Sequence, residues 1–370
     1  MTIYILTILS LITFSILEIY FDLSLTKRKW IFFIAYLILV LQVGLRWETG
    51  TDWIPYLVHF ENITDFASTS PFLTGFEYGY SICVWLVKLI LPDYSFFLLL
   101  HAVIYYFLIF KSFKRYTPYL YLSLLMFYTL SMGLMGSNRQ LIALAICIYA
   151  LRYVIEKKPI KFFLLIALAI SFHTTSFLFI IYYFLNRDIK PRAFILILCC
   201  SFVIGMSDFP SILFSNIGNL IGGQAAIKVY VYLEGAKDTL AEYKLSIIGI
   251  LKRFIFLSIF YYNRKYLREK LIYYNILLNG YIIGIAFYFL FAHSLLIMVS
   301  KGSLYFNIME PLLIASQICL LKRKDNRAFA IVILLVFAFL FFYQSITIYP
   351  DLFLPYKGIF INSGYHRVMY

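Results

Sequence analysis

Charged residues are scarce in this chain, and their scarcity is the first guide to its class. Only 14% of the 370 residues are Asp, Glu, Lys or Arg, whereas soluble domains carry about 25%. Hydrophobic residues make up 63% of the chain, and apolar runs of roughly 16 to 25 residues recur along it, each long enough to cross a hydrocarbon core as a helix. A water-soluble fold is excluded. We predict a single membrane domain, residues 1–370, that is an all-α polytopic transmembrane helical bundle of about 10–13 segments, some of them broken or re-entrant.

Several chemical signatures are missing as well. The sequence has no Walker phosphate-binding loop, no HExxH motif and no paired Cys or His at metal-ligand spacing, so neither nucleotide hydrolysis nor a metal site is indicated. All five cysteines lie in apolar runs, which predicts no disulfide framework. We therefore assign no cofactor and no metal. Residues 1–21 lack a basic start and a small-residue cleavage site, and are predicted to form the first membrane helix instead of a removed signal peptide.

The charge that is present is mostly positive, with 32 Lys and Arg against 18 Asp and Glu. A net charge of +14 can indicate a nucleic-acid partner, but most of these cations stand in short clusters between apolar runs. That distribution is typical of cytoplasmic loops that orient a membrane protein, so we predict no nucleic-acid binding. The six clusters are Lys27, Arg28 and Lys29; Lys111, Lys114 and Arg115; Lys157, Lys158 and Lys161; Arg187, Lys190 and Arg192; Arg264, Lys265, Arg268 and Lys270; and Lys322, Arg323, Lys324 and Arg327.

If these clusters are cytoplasmic, the segments between them and both chain termini face outward. The two longest outward segments, 47–77 and 208–245, mix aromatic with polar residues and are predicted to lie on the outer surface as interfacial helices and loops. The outward segments are 47–77, the region around Arg139, the region around His173, 208–245, the region around Lys301, and the tail from residue 344.

Two stretches do not fit a simple alternation of crossings. Residues 78–110 read as two apolar pieces broken at Pro92-Asp93, yet they join an outward segment to a cytoplasmic cluster, which requires an odd number of crossings. Either one piece is re-entrant or the N-terminal orientation is reversed. Residues 161–192 are basic at both ends, with two short apolar halves around His173. A broken hairpin is predicted there, because irregular backbone at membrane depth needs protein or water to satisfy it.

The densest group of polar residues follows the second predicted helix, in residues 44–56. Glycines there permit tight turns, Arg46 is able to grip a phosphate with two hydrogen bonds, and Asp52 is a candidate base for a sugar hydroxyl. Trp53 and Tyr56 offer aromatic faces that suit sugar rings. The alternative is a helix end with a capping Asp and an aromatic interface belt.

Further candidates stand at other predicted membrane boundaries. Glu77 lies in a second group of acid, aromatic and glycine residues, and an interfacial belt is its alternative. Arg139 opens a helix, where the positive helix end favours an anion, although a lone Arg also snorkels to the interface. His173 follows the predicted helix break and is otherwise a satisfied core histidine.

Three lysines and arginines in the second half of the chain complete the set. Lys252 and Arg253 stand about ten residues, or about 15 Å of helix, before the predicted cytoplasmic end of their span. Ionisable groups at that depth usually face a bundle interior or a cavity, unless the helix begins later and both are external. Lys301 precedes a late Leu-Tyr-Phe and is a further candidate phosphate contact.

Taken in order, these motifs resemble the EpsG-type family of bacterial polysaccharide polymerases, which includes many Wzy-type O-antigen and capsule polymerases. The resemblance spans nearly the whole chain and depends on the order and spacing of the motifs. The family commonly has an Arg shortly before the late Tyr-Phe, and here the nearest cation is Lys301, which does not offer the bidentate fork of an Arg. The matching stretches are GLRWETGTDWIPY, FEYGY, Asn-Arg-Gln at 138–140, SFHTTS at 171–176, LYF at 304–306 and PYK at 355–357.

The resemblance implies a GT-C-like glycosyltransferase of the bacterial cytoplasmic membrane. It would take a growing glycan from undecaprenyl diphosphate and join it, on the outer face, to another lipid-linked repeat unit, without a nucleotide sugar. A separate chain-length regulator protein is an implied partner, together with membrane lipid. The residues that we assign to catalysis are Asp52, His173 and Glu77. Those that we assign to the diphosphate or substrate are Arg46, Arg139, Lys252, Arg253, Lys301, Trp53 and Tyr56.

Other functions remain open from the sequence. Broken helices and buried cations also describe transport sites, so a lipid-linked oligosaccharide flippase or transporter is the main alternative, although no duplicated halves are visible. An O-antigen ligase is a second alternative, and a membrane acyltransferase is a more distant one.

Overall fold

The computed structural model describes residues 1–221, 229, 230, 233 and 247–367, and within these residues the regular secondary structure is helical apart from one isolated antiparallel bridge between Arg46 and Gly358. The predicted all-α bundle is thereby confirmed for the described residues. We number the helices α1 Thr2–Tyr20, α2 Leu25–Gly44, α3 Trp53–Asn62, α4 Pro71–Thr74, α5 Tyr78–Ile90, α6 Tyr94–Tyr116, α7 Leu120–Ser131, α8 Asn138–Ile155, α9 Pro159–Phe172, α10 Pro191–Gly205, α11 Phe209–Ile221, α12 Ile247–Tyr262, α13 Arg264–Lys270, α14 Tyr274–Phe291, α15 Leu296–Gly302, α16 Leu304–Asn307, α17 Met309–Gln317, α18 Lys324–Thr347 and α19 Pro350–Phe353. Short 3₁₀ helices cover Ala67–Thr69, Met132–Leu134 and Ile318–Leu320, and a longer one covers Thr174–Phe184.

Within the described residues, six helices are long and apolar enough to cross a membrane, or seven if the bent pair α10 and α11 forms one span. The segment 298–320 and α14 are central, with 78% of their apolar windows buried, whereas α18, at 22%, faces outward from the bundle. The predicted segments therefore divide into full-length spans and shorter apolar pieces. The full-length spans are Thr2–Tyr20, Tyr94–Tyr116, Asn138–Ile155, Tyr274–Phe291, Met298–Leu320 and Lys324–Thr347.

The bundle has two chemically different ends. Polar contacts connect the predicted cytoplasmic clusters at one end, which we call the basic end. At the other, Tyr4 Oη donates to the Phe353 carbonyl at 3.0 Å, so the first helix begins beside the tail. We call this the site end. The contacts at the basic end include Arg115 with Glu156 at 2.8 Å, Arg115 with Tyr273 at 2.6 Å, Arg268 with Asp188 at 2.9 Å, and Arg327 with the Ile19 carbonyl at 3.4 Å.

The predicted outward segments collect at the site end wherever the structure describes them fully. The segment 208–245 is described only in part, because residues 222–228, 231, 232 and 234–246 lie outside the described residues. Its first part is α11, which meets α10 at a bend of 78°.

Helix α5 resolves the odd crossing count in residues 78–110. Its thirteen residues extend about 20 Å, less than a hydrocarbon core of about 30 Å. Near its end, Lys88 Nζ donates to the Phe60 carbonyl of α3 at 2.9 Å, and the next helix begins with Tyr94 packed on Trp47 at 5.9 Å between ring centroids. Both ends of α5 therefore lie at the site end. Of the two pieces, only α6 is long and apolar enough to cross a membrane, whereas α5 is a shorter apolar helix, which favours a single crossing in residues 78–110.

The predicted broken hairpin is formed by α9 and the 3₁₀ helix Thr174–Phe184. Its two arms have 14 and 11 residues, or about 21 and 22 Å at 1.5 and 2.0 Å per residue. His173 is extended, with φ of −155°, and stands at the turn between the arms. An eleven-residue 3₁₀ helix is unusually long and often marks a functional region. The hairpin carries His173 to the site end.

Residues 349–367 form a clamp over the loop 45–52, and we call this the tail clamp. The Trp47 amide donates to the Lys357 carbonyl at 2.9 Å, and the Lys357 ammonium lies 2.8 Å from the Glu48 carboxylate, with side chains only 2% and 11% exposed. Glu48 has a φ of +45°, a left-handed conformation that non-glycine residues seldom adopt. The clamp holds this strained loop in place.

Breaking the clamp is expected to destabilise the protein. The Lys357→Met variant leaves the Glu48 carboxylate buried without its cation and should lower the free energy of unfolding by about 3 kcal/mol, measured by thermal denaturation in detergent. Lys158→Met is the matched control, since Lys158 pairs with Glu156 at the same kind of distance, 2.9 Å, but is 50% exposed; exposed pairs contribute about 0–1 kcal/mol. Equal losses of unfolding free energy in the two variants would contradict a stabilising role for the buried pair of Lys357 and Glu48.

The same pair should make stability depend on pH. Burial by itself raises the pKa of Glu48, but the hydrogen bond from Lys357, the Arg367 amide and the Lys357 charge together hold this pKa below its ordinary value of 4.5. A carboxyl with a depressed folded pKa stabilises fully above the ordinary pKa and loses that contribution as the pH falls through the folded pKa. The stability difference between wild type and Glu48→Gln should therefore shrink in that acidic range.

Candidate active site

A cavity of about 260 Å³ opens at the site end of the bundle. Four separate parts of the chain line it, which are the start of α3 with the loops beside it, the start of α8, the turn of the hairpin, and α15. The lining residues are Asp52, Pro55, Tyr56, Phe76, Ser137, Arg139, Gln140, His173, Thr175, Met298 and Lys301.

Two glycines bring the first two of these parts together. Gly50 and Gly136 have φ of +113° and +109°, values that suit glycine alone. A Cβ on Gly50 would stand 2.2 Å from the Met135 carbonyl oxygen, so no other residue fits there. This backbone approach places Asp52 beside the start of α8, where Ser137 Oγ donates to Asp52 Oδ2 at 2.8 Å.

Arg139, in the first turn of α8, is held firmly. Its backbone amide and its Nε both donate to Tyr56 Oη at 3.3 Å, and its Nη1 donates to Glu77 Oε2 at 2.5 Å. A guanidinium has five N–H groups, so these contacts leave three of them for a ligand. The N-terminus of α8 adds a positive partial charge at the same place. Arg139 is thus oriented to bind an anion.

A stack of flat groups supports the Arg139 guanidinium. The guanidinium carbon lies 4.0 Å from the centre of the Phe76 ring. The His59 ring stacks on the same Phe76 ring, with the two centroids 3.9 Å apart and the two planes 6° apart. Burial, and then the Arg139 charge, lower the pKa of His59 to about 4. His59 is therefore neutral near pH 7 and adds no competing cation next to Arg139. The sequence had not pointed to this stack.

Glu77 is the counter-ion of Arg139. Its Oε1 accepts hydrogen bonds from the Thr174 amide at 3.3 Å and the Thr174 hydroxyl at 3.1 Å. Burial by itself raises the pKa of Glu77, but the Arg139 charge, helped by the hydrogen bond from the Thr174 amide, brings it below its ordinary value. Helix α5 reaches this position because Gly79 has no side chain: a Cβ there would stand 2.3 Å from Ser171 Oγ. Glu77 is therefore an ionised carboxylate that connects Arg139 with the hairpin.

His173 and Thr175 line the cavity from the turn of the hairpin. His173 Nδ1 and Thr175 Oγ1 are 2.7 Å apart, and Thr175 Oγ1 also donates to Tyr305 Oη at 3.4 Å. Tyr305 belongs to the late Leu-Tyr-Phe stretch, and its carbonyl accepts from Tyr182 Oη at 3.0 Å. This chain of hydrogen bonds fixes the orientation of the imidazole relative to the cavity.

Lys301 brings a second cation to the cavity from α15. Its carbonyl accepts a hydrogen bond from Gln140 Nε2 at 2.5 Å, which ties α15 to the first turn of α8. The cavity therefore contains two cations, Arg139 and Lys301, and one carboxylate, Asp52, all within the same small volume.

Besides Glu77, which binds Arg139 from outside the lining, four of the predicted residues do not line the cavity. Arg46 is only 3% exposed and donates to Asn138 Oδ1 and the Val43 carbonyl, so it joins α2 to α8 beneath the loop. Trp53 lines a small separate cleft beside Arg46.

Lys252 and Arg253 are likewise not among the residues that line the cavity. Lys252 pairs with Glu310 of α17 at 2.9 Å, and the guanidinium of Arg253 stacks on the Tyr288 ring at 4.0 Å. Each of these cations is thus satisfied inside the bundle by a partner other than a ligand. Glu310 is a partner that the sequence could have suggested, since an acid inside an apolar run is costly without a cation.

Sequence reasoning also overlooked several cavity residues. Ser137, Gln140 and Thr175 stand within two residues of Arg139 or His173, and only this closeness in sequence pointed to them. Phe76 and Met298 carry no polar signal. Among the described residues, no group of three or more His, Cys, Asp and Glu side chains is arranged to hold a metal ion.

Comparison with known proteins gives one match. The model of the EpsG family matches residues 29–358, nearly the whole chain. No curated protein and no solved structure matches the chain. The matched range includes every residue of the cavity lining. The chain therefore belongs to the EpsG family, a family of Wzy-like polysaccharide polymerases, and is a multi-pass membrane protein of polysaccharide biosynthesis.

Proposed function

We propose that this protein polymerises polysaccharide by transferring a glycan from undecaprenyl diphosphate to another lipid-linked repeat unit. The reaction takes place at the site end, on the outer face of a bacterial cytoplasmic membrane, with both chain termini on that face. The observation that carries the proposal is the convergence of Asp52, Arg139, His173 and Lys301 on one cavity from four separate parts of the chain. A glycosyl transfer of this kind needs a base and an anion site within one small volume, and the cavity lining offers a carboxylate, an imidazole and two cations for these roles.

The transfer forms one bond and breaks another. The acceptor hydroxyl oxygen bonds to the anomeric carbon of the donor sugar while the bond from that carbon to the phosphate oxygen breaks. The diphosphate gains negative charge as it leaves, and preorganised donors aimed at developing charge lower the barrier. Arg139 supplies such donors, with the N-terminus of α8 behind it. Lys301 supplies a second positive charge.

The acceptor hydroxyl must also lose its proton. Asp52 and His173 both line the cavity and are the two candidates for the general base. Glu77 is less suited to that role, because its carboxylate is already bonded to Arg139 and Thr174. We assign to Glu77 the orientation of Arg139.

The proposed reaction involves lipid-linked substrates and a protein partner. The substrates are undecaprenyl-diphosphate-linked oligosaccharides, which reach the protein through the membrane lipid, and a separate chain-length regulator acts with it. No nucleotide and no metal take part, since the cations of the chain itself meet the leaving group. Tyr56 lines the cavity and contributes to sugar binding there.

A deletion strain tests the function directly. Loss of the gene should leave single-repeat glycan on the carrier or on its final acceptor, and the purified protein should lengthen lipid-linked repeat units while releasing undecaprenyl diphosphate. Loss of all external glycan would instead indicate a flippase. Full-length polymer that stays on the carrier would indicate a ligase, and unchanged chain length would indicate an acyltransferase.

A further inference from the structure

An apolar groove of about 270 Å³ lies next to the cavity, between α5, α6, α8 and α9. All four helices belong to the described part of the chain, and no charged residue is among those that line the groove. Its lining residues are Tyr80, Cys83, Val87, Phe97, Leu100, His101, Ile104, Leu108, Ile142, Ile146, Tyr149, Leu165, Leu168 and Phe172.

The groove continues from the cavity along helix α8. Arg139 lines the cavity, and Ile142, Ile146 and Tyr149 line the groove. Spacings of three and four residues place all of them on one face of the helix. Tyr149 is ten residues after Arg139, or about 15 Å along the helix axis. The groove thus starts at the anion site and extends toward the middle of the bundle.

Two other walls show the same continuity. On α9, Phe172 lines the groove and the next residue, His173, lines the cavity. On the opposite side, the ring of Tyr80 in the groove wall packs against the ring of Tyr56 in the cavity wall, with centroids 5.4 Å apart. The polar cavity and the apolar groove are therefore neighbours along their shared boundary.

The groove is also open to the side. Leu168 is 46% exposed and Ile104 is 40% exposed, and these apolar side chains belong to helices that a membrane surrounds. The imidazole of His101 in the wall is held by the Asn138 carbonyl, 2.9 Å from its Nε2. A hydrocarbon chain can enter from the bilayer without crossing any charged group.

We propose that this groove holds the first isoprenoid units of the lipid carrier whose diphosphate binds at Arg139. The inference rests on the proposed function, because it takes the polyprenyl diphosphate from there. The tail gains little binding free energy when it moves from the bilayer into the groove, because lipid and groove are equally apolar. The groove therefore acts by fixing the direction of the tail. A tail fixed in this direction delivers the diphosphate to Arg139 in one orientation.

A second groove supplies a matched control. It lies between α1, α2 and the tail clamp, has a volume of about 360 Å³ and includes Leu41. Leu41 is 40% exposed, close to the 46% of Leu168, but it does not adjoin the cavity. Leu168→Trp and Leu41→Trp therefore make the same chemical change in two apolar grooves, and only one groove leads to Arg139.

The test uses the purified full-length protein in lipid nanodiscs and two donor substrates, which carry the same glycan diphosphate either on an undecaprenyl tail or on a single methyl group that cannot reach into the groove. The measured quantity is the ratio of kcat/KM for the undecaprenyl donor to kcat/KM for the methyl donor. Leu168→Trp should lower this ratio about tenfold, because it overfills the groove, while Leu41→Trp leaves the ratio at the wild-type value. An unchanged ratio in Leu168→Trp, or an equal fall in both variants, overturns the proposal.

Photocrosslinking distinguishes the occupants of the groove. An undecaprenyl diphosphate analogue with a photoreactive group on its first isoprene unit should label α5 or α9, and excess undecaprenyl diphosphate should remove the label. Label that survives this competition would mean that the groove holds bulk lipid, which also overturns the proposal. A wild-type protein that extends neither donor would instead refute the proposed function.

Discussion

Replacing Arg139 by Gln is expected to reduce polymer formation about a hundredfold to a thousandfold, the range found when one preorganised donor is removed from a developing charge. Arg139 is the cation at the N-terminus of α8, and its guanidinium is held by Tyr56, Glu77 and the Phe76 ring. Polymer length and amount in a complemented deletion strain, together with kcat of the purified protein, measure the effect. Arg139→Lys should be nearly as damaging, because an ammonium does not reproduce the planar fork.

Arg152 provides the control for this variant. It lies on the same helix, and its guanidinium also stacks on an aromatic ring, that of Tyr149, at 3.9 Å. It stands at the opposite end of α8, close to the basic end. Arg152→Gln should leave polymerisation intact. Full-length polymer from the Arg139→Gln strain would remove Arg139 from the anion site.

Replacing Asp52 by Asn is the second change with a large expected effect. If Asp52 is the general base, the variant should lose about a hundredfold to ten-thousandfold in kcat. Asn keeps an oxygen that accepts the hydrogen bond from Ser137, so the loop is expected to keep its shape. The acidic limb of the kcat/KM profile against pH should disappear, because that limb reports protonation of the base. A fall in kcat together with loss of the acidic limb would assign the role of general base to Asp52.

The His173→Ala variant completes the comparison. If Asp52→Asn still makes full-length polymer and His173→Ala makes none, His173 is the base and Asp52 only orders the loop. Asp65→Asn serves as the control, because Asp65 is an exposed acid of the same segment whose carboxylate accepts the Ser68 amide at 2.8 Å. Asp65→Asn should leave the rate unchanged.

The sequence was sufficient to predict the class of fold and half of the residues that we expected at the site, which line the cavity. Apolar run length identifies membrane helices, and the placement of Lys and Arg separates the two ends of the bundle. The break at His173 was visible because each apolar half is too short to span. Asp52, Tyr56, Arg139, His173 and Lys301 were all singled out in advance, and the structure brings them to one cavity.

The remainder depends on contacts between distant parts of the chain. Lys252 looked like a substrate contact because a buried cation is costly, but 58 positions separate it from its partner Glu310, and hydropathy does not pair residues. Arg46 looked like a phosphate ligand because it lies among glycines and acids. Its guanidinium instead joins α2 to α8, which a single sequence does not reveal. The return of α5 to the site end depends likewise on a long-range contact, that of Lys88 with α3.

The tail clamp has a consequence for the order of folding. Thr49 and Lys357 are 308 positions apart, yet the Thr49 hydroxyl donates to the Lys357 carbonyl at 3.0 Å. During synthesis, the loop that carries Asp52 is made long before residues 349–367, and it finds its partner only when those residues emerge. Contacts of such separation form late, because closing a long loop costs entropy before the contact forms. The proposed reaction centre is thus completed only after residues 349–367 have been made, and a shorter chain would lack the contacts that hold the Asp52 loop in place.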